Sequence, residues 1–172
     1  RLCEWSRRGR GNGALNRGLL SDKTRTNHVI GVIHDRLVDG EVAALAEAGM
    51  TLRVVGGDTL EARRRMLMEE ADCFVALPGG TGTWEELWEV ASLESLGLLA
   101  VARPVVVVNT GGYYRGFLLQ LEQAHADGML HKRPAEILTV VDTPAQALRF
   151  LASAECTLGI PSVPCSVVAR SD

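Results

Sequence analysis

Short apolar runs alternate along the chain with longer stretches in which apolar residues recur at helical spacing. The alternation begins near residue 28 and continues to about residue 152. Each short run has the length of a single strand, and each longer stretch has the spacing of an amphipathic helix. Strands that alternate with helices are typical of βα units around a parallel sheet, so the pattern predicts an α/β domain.

Five of the apolar runs are predicted strands, because they are rich in β-branched residues or are bounded by glycine and proline. They occupy residues 28–33, 51–55, 73–77, 104–109 and 137–141. The run at 73–77 is almost wholly apolar, as expected of a central parallel strand that is covered on both faces. We therefore expect a Rossmann-like doubly wound parallel sheet in a three-layer α/β/α arrangement.

Helices are predicted around these strands at residues 14–20, 40–48, 59–71, 83–93, 113–126 and 144–152. A chain of 172 residues with 47% hydrophobic content can bury one substantial core, and no linker divides it. We therefore expect a single domain over residues 1–172. Within it, residues 1–27 are expected to be an atypical or truncated N-terminal segment, and residues 153–172 an irregular tail.

The charge of the chain narrows the classes of partner. Its net charge is −3 and its pI is about 5.8, which argues against a nucleic-acid binder that neutralises many phosphates. No apolar run approaches the roughly 20 residues that a membrane span requires. We therefore expect a cytoplasmic protein with no nucleic-acid partner and no membrane partner. A small anionic ligand would need only a local positive site.

Cysteine and histidine are scattered rather than clustered. The four cysteines lack C-x-x-C spacing and the four histidines form no H-x-x-x-H pattern, so a metal site is not expected. Cys73 lies within a predicted strand, where we expect a small core residue. We predict no metal, no other cofactor and no disulfide framework.

A glycine-rich loop, residues 78–83 with the sequence P-G-G-T-G-T, lies between the predicted strand 73–77 and the next helix. Its three glycines let the backbone turn sharply and approach an anion, and the helix N-terminus presents free N–H groups. The candidate phosphate-binding residues are Gly79, Gly80, Thr81, Gly82 and Thr83. The loop has neither the lysine of a Walker loop nor the G-x-G-x-x-G pattern. The alternative interpretation is a tight two-glycine turn.

Two carboxylates, Glu85 and Glu86, follow the loop within the first turns of the helix. Carboxylates repel phosphate at close range, so they suit a ribose hydroxyl or a developing oxocarbenium charge better. Spacing alone leaves open which of the two points inward. The alternative is that both are ordinary acidic residues that favour the positive end of a helix dipole.

Three consecutive arginines, Arg63, Arg64 and Arg65, precede the strand that leads into the loop. A guanidinium binds phosphate or carboxylate with two parallel hydrogen bonds, and a triplet offers at least one that faces the site whatever the helix phase. The alternative is a solvent-exposed helix face that pairs with Glu61 or Glu69. We expect most of the triplet to be exposed and one member to be functional.

Residues 78–86, P-G-G-T-G-T-W-E-E, match every fixed position of the pattern P-G-G-x-G-T-x-x-E. This pattern is the signature of the LOG (Lonely Guy) family of cytokinin-activating phosphoribohydrolases, long mislabelled as lysine decarboxylases. The chain therefore resembles that family. Residues 60–64, L-E-A-R-R, are similar to the family's M-H-x-R-K but lack its methionine and histidine. Similar segments at 28–33 and 109–114 extend the resemblance over about residues 28–151.

The resemblance implies hydrolysis of the N-glycosidic bond of an adenosine 5′-monophosphate, N6-prenylated in cytokinin metabolism, to free base and ribose 5-phosphate. It gives the catalytic positions to Arg63 and Glu86. Arg64 and Glu85 would assist substrate binding, and residues 79–83 would hold the 5′-phosphate. The resemblance also implies a homodimer or higher homo-oligomer, with the site near the subunit interface, and no cofactor.

Departures from the family pattern leave alternatives open. The family's first glycine loop has only a damaged counterpart at residues 9–16, so we expect a fragment or a rebuilt N-terminus. Glu61 replaces the family's histidine, which could alter base specificity. The alternative function is a non-catalytic carrier of a nucleotide or of molybdenum cofactor, which related folds bind. Lysine decarboxylation is disfavoured, because neither Lys23 nor Lys132 lies in a suitable position for a Schiff base.

Overall fold

The computed structural model describes residues 2–4, 18, 21, 29–47, 49–99, 103–158 and 166–168. The strands are β1 (Leu2–Glu4), β2 (Val29–His34), β3 (Thr51–Val55), β4 (Phe74–Ala76), β5 (Val105–Val108), β6 (Thr139–Val141) and β7 (Ser166–Val168). The helices are α1 (Gly40–Glu47), α2 (Glu61–Glu70), α3 (Thr81–Leu96), α4 (Arg115–Ala126), α5 (Pro134–Ile137) and α6 (Pro144–Leu158). No helix in these ranges has the length and apolar character needed to cross a membrane.

All strand pairs in these ranges are parallel, in two sheets. The first sheet has the order β1-β2-β3, and the second has the order β6-β5-β4-β7. The strands β1 and β7 lie beside each other where the two sheets meet. Because parallel strands end at the same edge of their sheet, the segments that follow β4 and β5 are neighbours. The ends of β2 and β3 are neighbours for the same reason.

Side chains of β4 and β5 alternate between two core clusters on opposite faces of the sheet. On one face, Phe74 and Val105 pack in a cluster with residues of α3 and α4. On the other face, Val75 and Val106 pack in a cluster with residues of α6. Helices therefore cover both faces, which explains why these strands are apolar at every position. The predicted α/β class is confirmed.

All five predicted strands are present, and their ends lie within two residues of the predicted bounds. The predicted helix at 14–20 lies outside the described residues except for residue 18. Two elements occur within residues 153–172, which were expected to be irregular. The helix α6 continues to Leu158, and β7 adds a strand beside β4.

Cys73 is one residue before β4 and is buried, as expected of a core residue. It is also disulfide-bonded, so the prediction of no disulfide framework is wrong at this cysteine. Cys73 is far in sequence from each of the other three cysteines, so only tertiary contacts, which spacing does not reveal, can bring a partner to it.

Candidate active site

The glycine loop is placed by β4 and α3. The strand ends at Ala76, the chain turns through residues 77–80, and α3 begins at Thr81 with Gly80 as its N-cap residue. The amide of Trp84 donates to the carbonyl of Gly80 at 3.1 Å, which starts the helical hydrogen bonding. Because the first amides of a helix have no partners within it, this turn presents N–H groups at the carboxyl end of β4.

The predicted phosphate-binding residues all lie in this turn, but their exposure differs. Gly79, Gly80 and Gly82 are buried, so their backbone forms the floor of the turn. Thr83 is fully buried within α3. Thr81 is exposed at the first helical position. The Thr81 hydroxyl is therefore the side-chain donor of the loop that a ligand can reach most directly.

Two tyrosines that follow β5 hold the loop in place. The hydroxyl of Tyr113 donates a hydrogen bond to the carbonyl of Gly79, and the hydroxyl of Tyr114 donates to the carbonyl of Leu77. The amide of Tyr114 donates to Asn109 Oδ1 at 2.7 Å. These bonds engage carbonyl oxygens of the loop, which would otherwise repel an anion.

The turn that directly precedes the two tyrosines contains two glycines. Gly111 and Gly112 have φ angles of 63° and 76°, which glycine adopts without the strain that a Cβ would add. Burial raises the pKa of Tyr114, and the neighbouring Tyr113 raises that pKa further. The Tyr114 hydroxyl therefore remains a donor at neutral pH. Neither tyrosine is among the predicted site residues, although their position directly after the strand next to β4 was a usable signal.

Arg63 and Glu86 form an ion pair inside the protein. Arg63 Nη1 donates to Glu86 Oε1 at 2.6 Å, and the two residues are only 5% and 6% exposed. Arg63 Nε also donates to the carbonyl of Val32 in β2 at 3.1 Å. The two residues predicted as catalytic are thus brought together, and they join α2, α3 and β2.

The burial of this ion pair affects its contribution to stability. Taking two charges out of water costs a desolvation free energy that mutual attraction repays only when the geometry is good. Loss of the Arg63 guanidinium would leave the buried Glu86 carboxylate without this partner, at a cost of about 3–5 kcal/mol. An apolar contact of the same size would stabilise the fold at least as well. A buried pair whose carboxylate lies on the helix that begins at a candidate phosphate loop is therefore typical of a functional site.

Arg64 makes a second and more exposed connection between α2 and α3. Its Nη1 donates to Glu85 Oε1 at 2.7 Å, and Glu85 is exposed. Arg64 Nε lies 2.7 Å from Glu89 Oε2 yet has no hydrogen-bond partner among the described residues, so this is a charge contact without hydrogen-bond geometry. Glu89 is not among the predicted site residues, although its helical spacing from Glu85 was a usable signal.

Arg65 fits the alternative interpretation of the triplet. It is exposed and lies 3.9 Å from Glu69, one turn further along α2. Leu67 is buried against β2 one turn after Arg63, and this contact determines the phase of the helix. As a result Arg63 lies inside the protein, Arg64 at the rim and Arg65 in solvent.

The arrangement combines donors for an anion with a buried carboxylate. The loop amides and the helix dipole favour a phosphate at the start of α3. Glu86 lies further along the same helix, where it can stabilise positive charge on a bound molecule. Within the ranges given above, no group of three or more His, Cys, Asp or Glu side chains is arranged to hold a metal ion.

The region that contains this site matches a known family. A family model described as "Possible lysine decarboxylase" covers residues 13–151. Among relatives, the protein named "Probable cytokinin riboside 5'-monophosphate phosphoribohydrolase LOGL2" from Oryza sativa subsp. japonica is 32% identical over 137 residues. That alignment covers 78% of this chain and 53% of the rice protein.

Two Arabidopsis thaliana proteins are similar at comparable levels. "Cytokinin riboside 5'-monophosphate phosphoribohydrolase LOG2" is 30% identical over 136 residues, which cover 78% of this chain and 61% of that protein. "Cytokinin riboside 5'-monophosphate phosphoribohydrolase LOG4" is 30% identical over 166 residues, which cover 94% of this chain and 74% of that protein. The chain thus spans just over half the length of the rice relative and more of the other two.

Proposed function

Because the chain belongs to the LOG family, we propose that it is a nucleoside 5′-monophosphate phosphoribohydrolase. The substrate is an adenosine 5′-monophosphate, N6-prenylated in the cytokinin case, and the products are the free base and ribose 5-phosphate. The names of the relatives support this proposal, since each contains the words cytokinin riboside 5′-monophosphate phosphoribohydrolase. The observation that carries it is the buried pair between Arg63 of α2 and Glu86 of α3, the helix that begins at the glycine loop.

The 5′-phosphate binds at the start of α3. Backbone amides of residues 79–83 and the Thr81 hydroxyl are its donors, and the positive end of the helix dipole favours its charge. Tyr113 and Tyr114 keep the loop in shape through their hydrogen bonds to its carbonyls. Since α3 begins within the loop at Thr81 and carries Glu86, anchoring the phosphate also positions the sugar relative to the carboxylate.

Glu86 acts on the sugar. When the C1′–N9 bond breaks, its electron pair leaves with the base, and positive charge develops on C1′ and the ring oxygen. The Glu86 carboxylate stabilises this charge and orients the water whose oxygen bonds to C1′. The water gives up a proton and the departing base takes one up, so atoms and charges balance.

Arg63 holds the carboxylate for this task. Its hydrogen bond to Glu86 fixes one orientation of the carboxyl group, and its bond to the Val32 carbonyl anchors the guanidinium on β2. The pair is almost fully buried, and charges interact more strongly where water is excluded. A fixed carboxylate in such surroundings needs little reorganisation when positive charge appears on the sugar.

Residues at the rim would adjust binding and specificity. Arg64 and Glu85 are assigned to substrate binding, because their ion pair lies next to the buried pair and is partly open to solvent. Glu61 is exposed at the first position of α2, where the family has a histidine, and is assigned an effect on which base is accepted.

The proposal includes a cytoplasmic homodimer or higher homo-oligomer. Trp84 and Trp88 are 45% and 39% exposed on α3, the helix that carries Glu86. Neighbouring exposed aromatic residues are typical of protein–protein contacts. We expect the unaltered chain to sediment as a dimer or larger oligomer and Trp84→Glu to shift it toward the monomer. A monomeric unaltered chain would contradict this part of the proposal.

Release of free base tests the activity. The chain is incubated with AMP and with N6-isopentenyladenosine 5′-monophosphate, and free base and ribose 5-phosphate are followed by chromatography. We expect release from at least one nucleotide. The release should be lost in Glu86→Gln and kept in Glu69→Gln, which alters an exposed glutamate of α2.

The outcome also separates the two candidate functions. No release from either nucleotide would contradict the hydrolase. Tight nucleotide binding without turnover, unchanged in Glu86→Gln, would instead support the non-catalytic carrier, because a carrier does not need the carboxylate that stabilises an oxocarbenium charge.

A further inference from the structure

A cavity lies at the edge of the second sheet opposite to the glycine loop. Its walls include Val105 and Thr139, the first residues of β5 and β6, whereas the loop follows the carboxyl end of β4. The cavity has a volume of about 250 Å³ and is open to solvent. Pockets for drug-sized molecules measure about 300–1,000 Å³, so this one suits a smaller molecule. No step of the mechanism above uses it.

Arg103 lines this cavity with a guanidinium that is only partly engaged. Its Nη1 donates to the carbonyl of Met68 in the last turn of α2, where a cation is favourable. Within the part of the chain that the structure describes, Arg103 forms no ion pair, and its Nε and Nη2 have no hydrogen-bond partner. Neither nitrogen is buried, so a bound molecule can reach both. The helix contact thus leaves most of the five N–H donors of Arg103 available.

The two carboxylates that line the cavity have cations of their own. Glu94 Oε1 lies 3.2 Å from Lys132 Nζ. Glu136 Oε2 lies 3.1 Å from Arg133 Nε. Arg103 is therefore the charged group of the wall whose charge is not balanced by a described residue. A partly buried cation in this situation favours an anion from outside the chain.

The rest of the wall is mainly apolar. Val105, Ile137 and Leu138 are buried, and Pro104 and Phe150 are partly buried. An apolar lining with a few polar groups is typical of small-molecule sites. It disfavours inorganic phosphate, because a strongly hydrated anion would lose water against walls that offer one guanidinium in return. The lining favours a molecule with an apolar body and a single anionic group.

We propose that this cavity binds a small carboxylic acid whose apolar body has about the size of one aromatic ring, and that Arg103 binds its carboxylate. Nε and Nη2 of Arg103 donate two parallel hydrogen bonds to the two carboxylate oxygens. Nη1 keeps its bond to the Met68 carbonyl, which fixes the orientation of the guanidinium. The apolar body packs against the apolar wall. Because the cavity and the glycine loop lie at opposite edges of the sheet, this binding does not depend on the hydrolase.

Binding of three simple carboxylates tests the assignment. Benzoate, phenylacetate and isovalerate are the probes, benzamide keeps the shape of benzoate without its charge, and inorganic phosphate is a second anion. Amide NMR titrations give the dissociation constants, and thermal unfolding with and without probe gives Tm. Each titration is repeated in excess AMP, which occupies the glycine loop if the proposed function is correct.

Four variants separate the parts of the site. Arg103→Gln removes the charge, and Arg103→Lys keeps the charge but loses the two-pronged geometry. Ala135→Phe narrows the cavity from an exposed position of its wall and leaves the guanidinium in place. Arg115→Gln alters an exposed arginine at the start of α4 and is the control.

We expect benzoate to bind the unaltered chain and to raise its Tm. Arg103→Gln should weaken benzoate binding by at least about tenfold, the effect of lost hydrogen bonds to a charged group. Arg103→Lys should weaken it less. Ala135→Phe should weaken it while leaving Tm without probe unchanged, which separates occupancy of the cavity from folding. Arg115→Gln should match the unaltered chain, and benzamide should bind at least about tenfold more weakly than benzoate.

Other results would overturn the site. Absence of peak shifts with all three carboxylates at about 10 mM would do so, because a complex with a Kd of about 1 mM would then be nearly saturated. Unchanged benzoate affinity in Arg103→Gln, or equal affinity for benzoate and benzamide, would show that the guanidinium does not bind the carboxylate. Competition by AMP would place benzoate at the glycine loop, and tighter binding of phosphate would contradict the class of ligand. None of these results bears on base release, which tests the hydrolase separately.

Discussion

Two ion pairs join α2 to α3, and they differ mainly in their access to water. The distance from the guanidinium nitrogen to the carboxylate oxygen is 2.6 Å in Arg63–Glu86 and 2.7 Å in Arg64–Glu85, so distance does not distinguish the two pairs. The Glu86 side chain is 8% exposed, whereas that of Glu85 is 53% exposed. Solvent screens the outer pair and makes its contribution to stability small, while the inner pair is desolvated and sensitive to the loss of either partner.

The largest effect on stability is expected from removing half of the buried pair. Arg63→Met leaves the Glu86 carboxylate without its partner, which should lower the free energy of unfolding by about 3–5 kcal/mol. The double variant Arg63→Met/Glu86→Leu removes both charges and should recover most of this loss. Urea unfolding is measured for the unaltered chain, Arg63→Met, Glu86→Leu and the double variant. A double variant as unstable as the sum of the two single variants would contradict this account of the pair.

The two tyrosines that hold the glycine loop also differ in exposure to water, and smaller effects on stability are expected from them. Tyr114 is 2% exposed and Tyr113 is 46% exposed, and each donates to a loop carbonyl. Tyr114→Phe should lower the free energy of unfolding by about 1–2 kcal/mol, because a buried bond is lost. Tyr113→Phe should lower it by less, because water can replace the hydroxyl. Equal losses in urea unfolding would show that exposure does not separate the two bonds.

The pKa of Tyr114 gives a pH-dependent form of the same test. Burial raises this pKa in the folded protein, whereas an unfolded tyrosine titrates near pH 10. The stabilising contribution is therefore complete below about pH 10 and is lost as pH rises toward the folded pKa. We expect the unaltered chain to lose stability above about pH 10 more steeply than Tyr114→Phe. Parallel pH profiles would argue against a protonated, buried hydroxyl.

The smallest effect is expected at the outer pair. Arg64→Gln should change the free energy of unfolding by less than about 1 kcal/mol, and added salt should shrink the difference. Arg65→Gln, on the exposed face of α2, serves as the matched control and should be neutral. If Arg64→Gln lowered the free energy of unfolding as much as Arg63→Met, the outer pair would not be screened by solvent.

Much of the fold was predictable, because helices cover both faces of the second sheet. That geometry requires apolar residues at every strand position, and the valine run Val105–Val108 is its direct sign. The strands β1 and β7 were not predictable in the same way. Each has only three residues, and each pairs with a strand that is distant in sequence, so no local pattern marks it.

The residues of the site were predictable from the sequence, but the directions of their side chains were not. Three arginines and two glutamates could be selected by spacing, but spacing does not show that Arg63 and Glu86 turn inward while their neighbours face solvent. That orientation depends on tertiary packing, notably the burial of Leu67 against β2.

The most direct test compares two neighbouring glutamates in one assay. Glu85→Gln and Glu86→Gln alter adjacent residues of α3 by the same chemical change, one at the rim and one in the buried pair. We predict that Glu86→Gln lowers kcat for base release by about 10²–10³, the range expected for loss of one electrostatic stabiliser of the transition state. Glu85→Gln should lower it by less than about tenfold. Equal losses, or a fully active Glu86→Gln, would contradict the assignment of the buried pair as the catalytic centre.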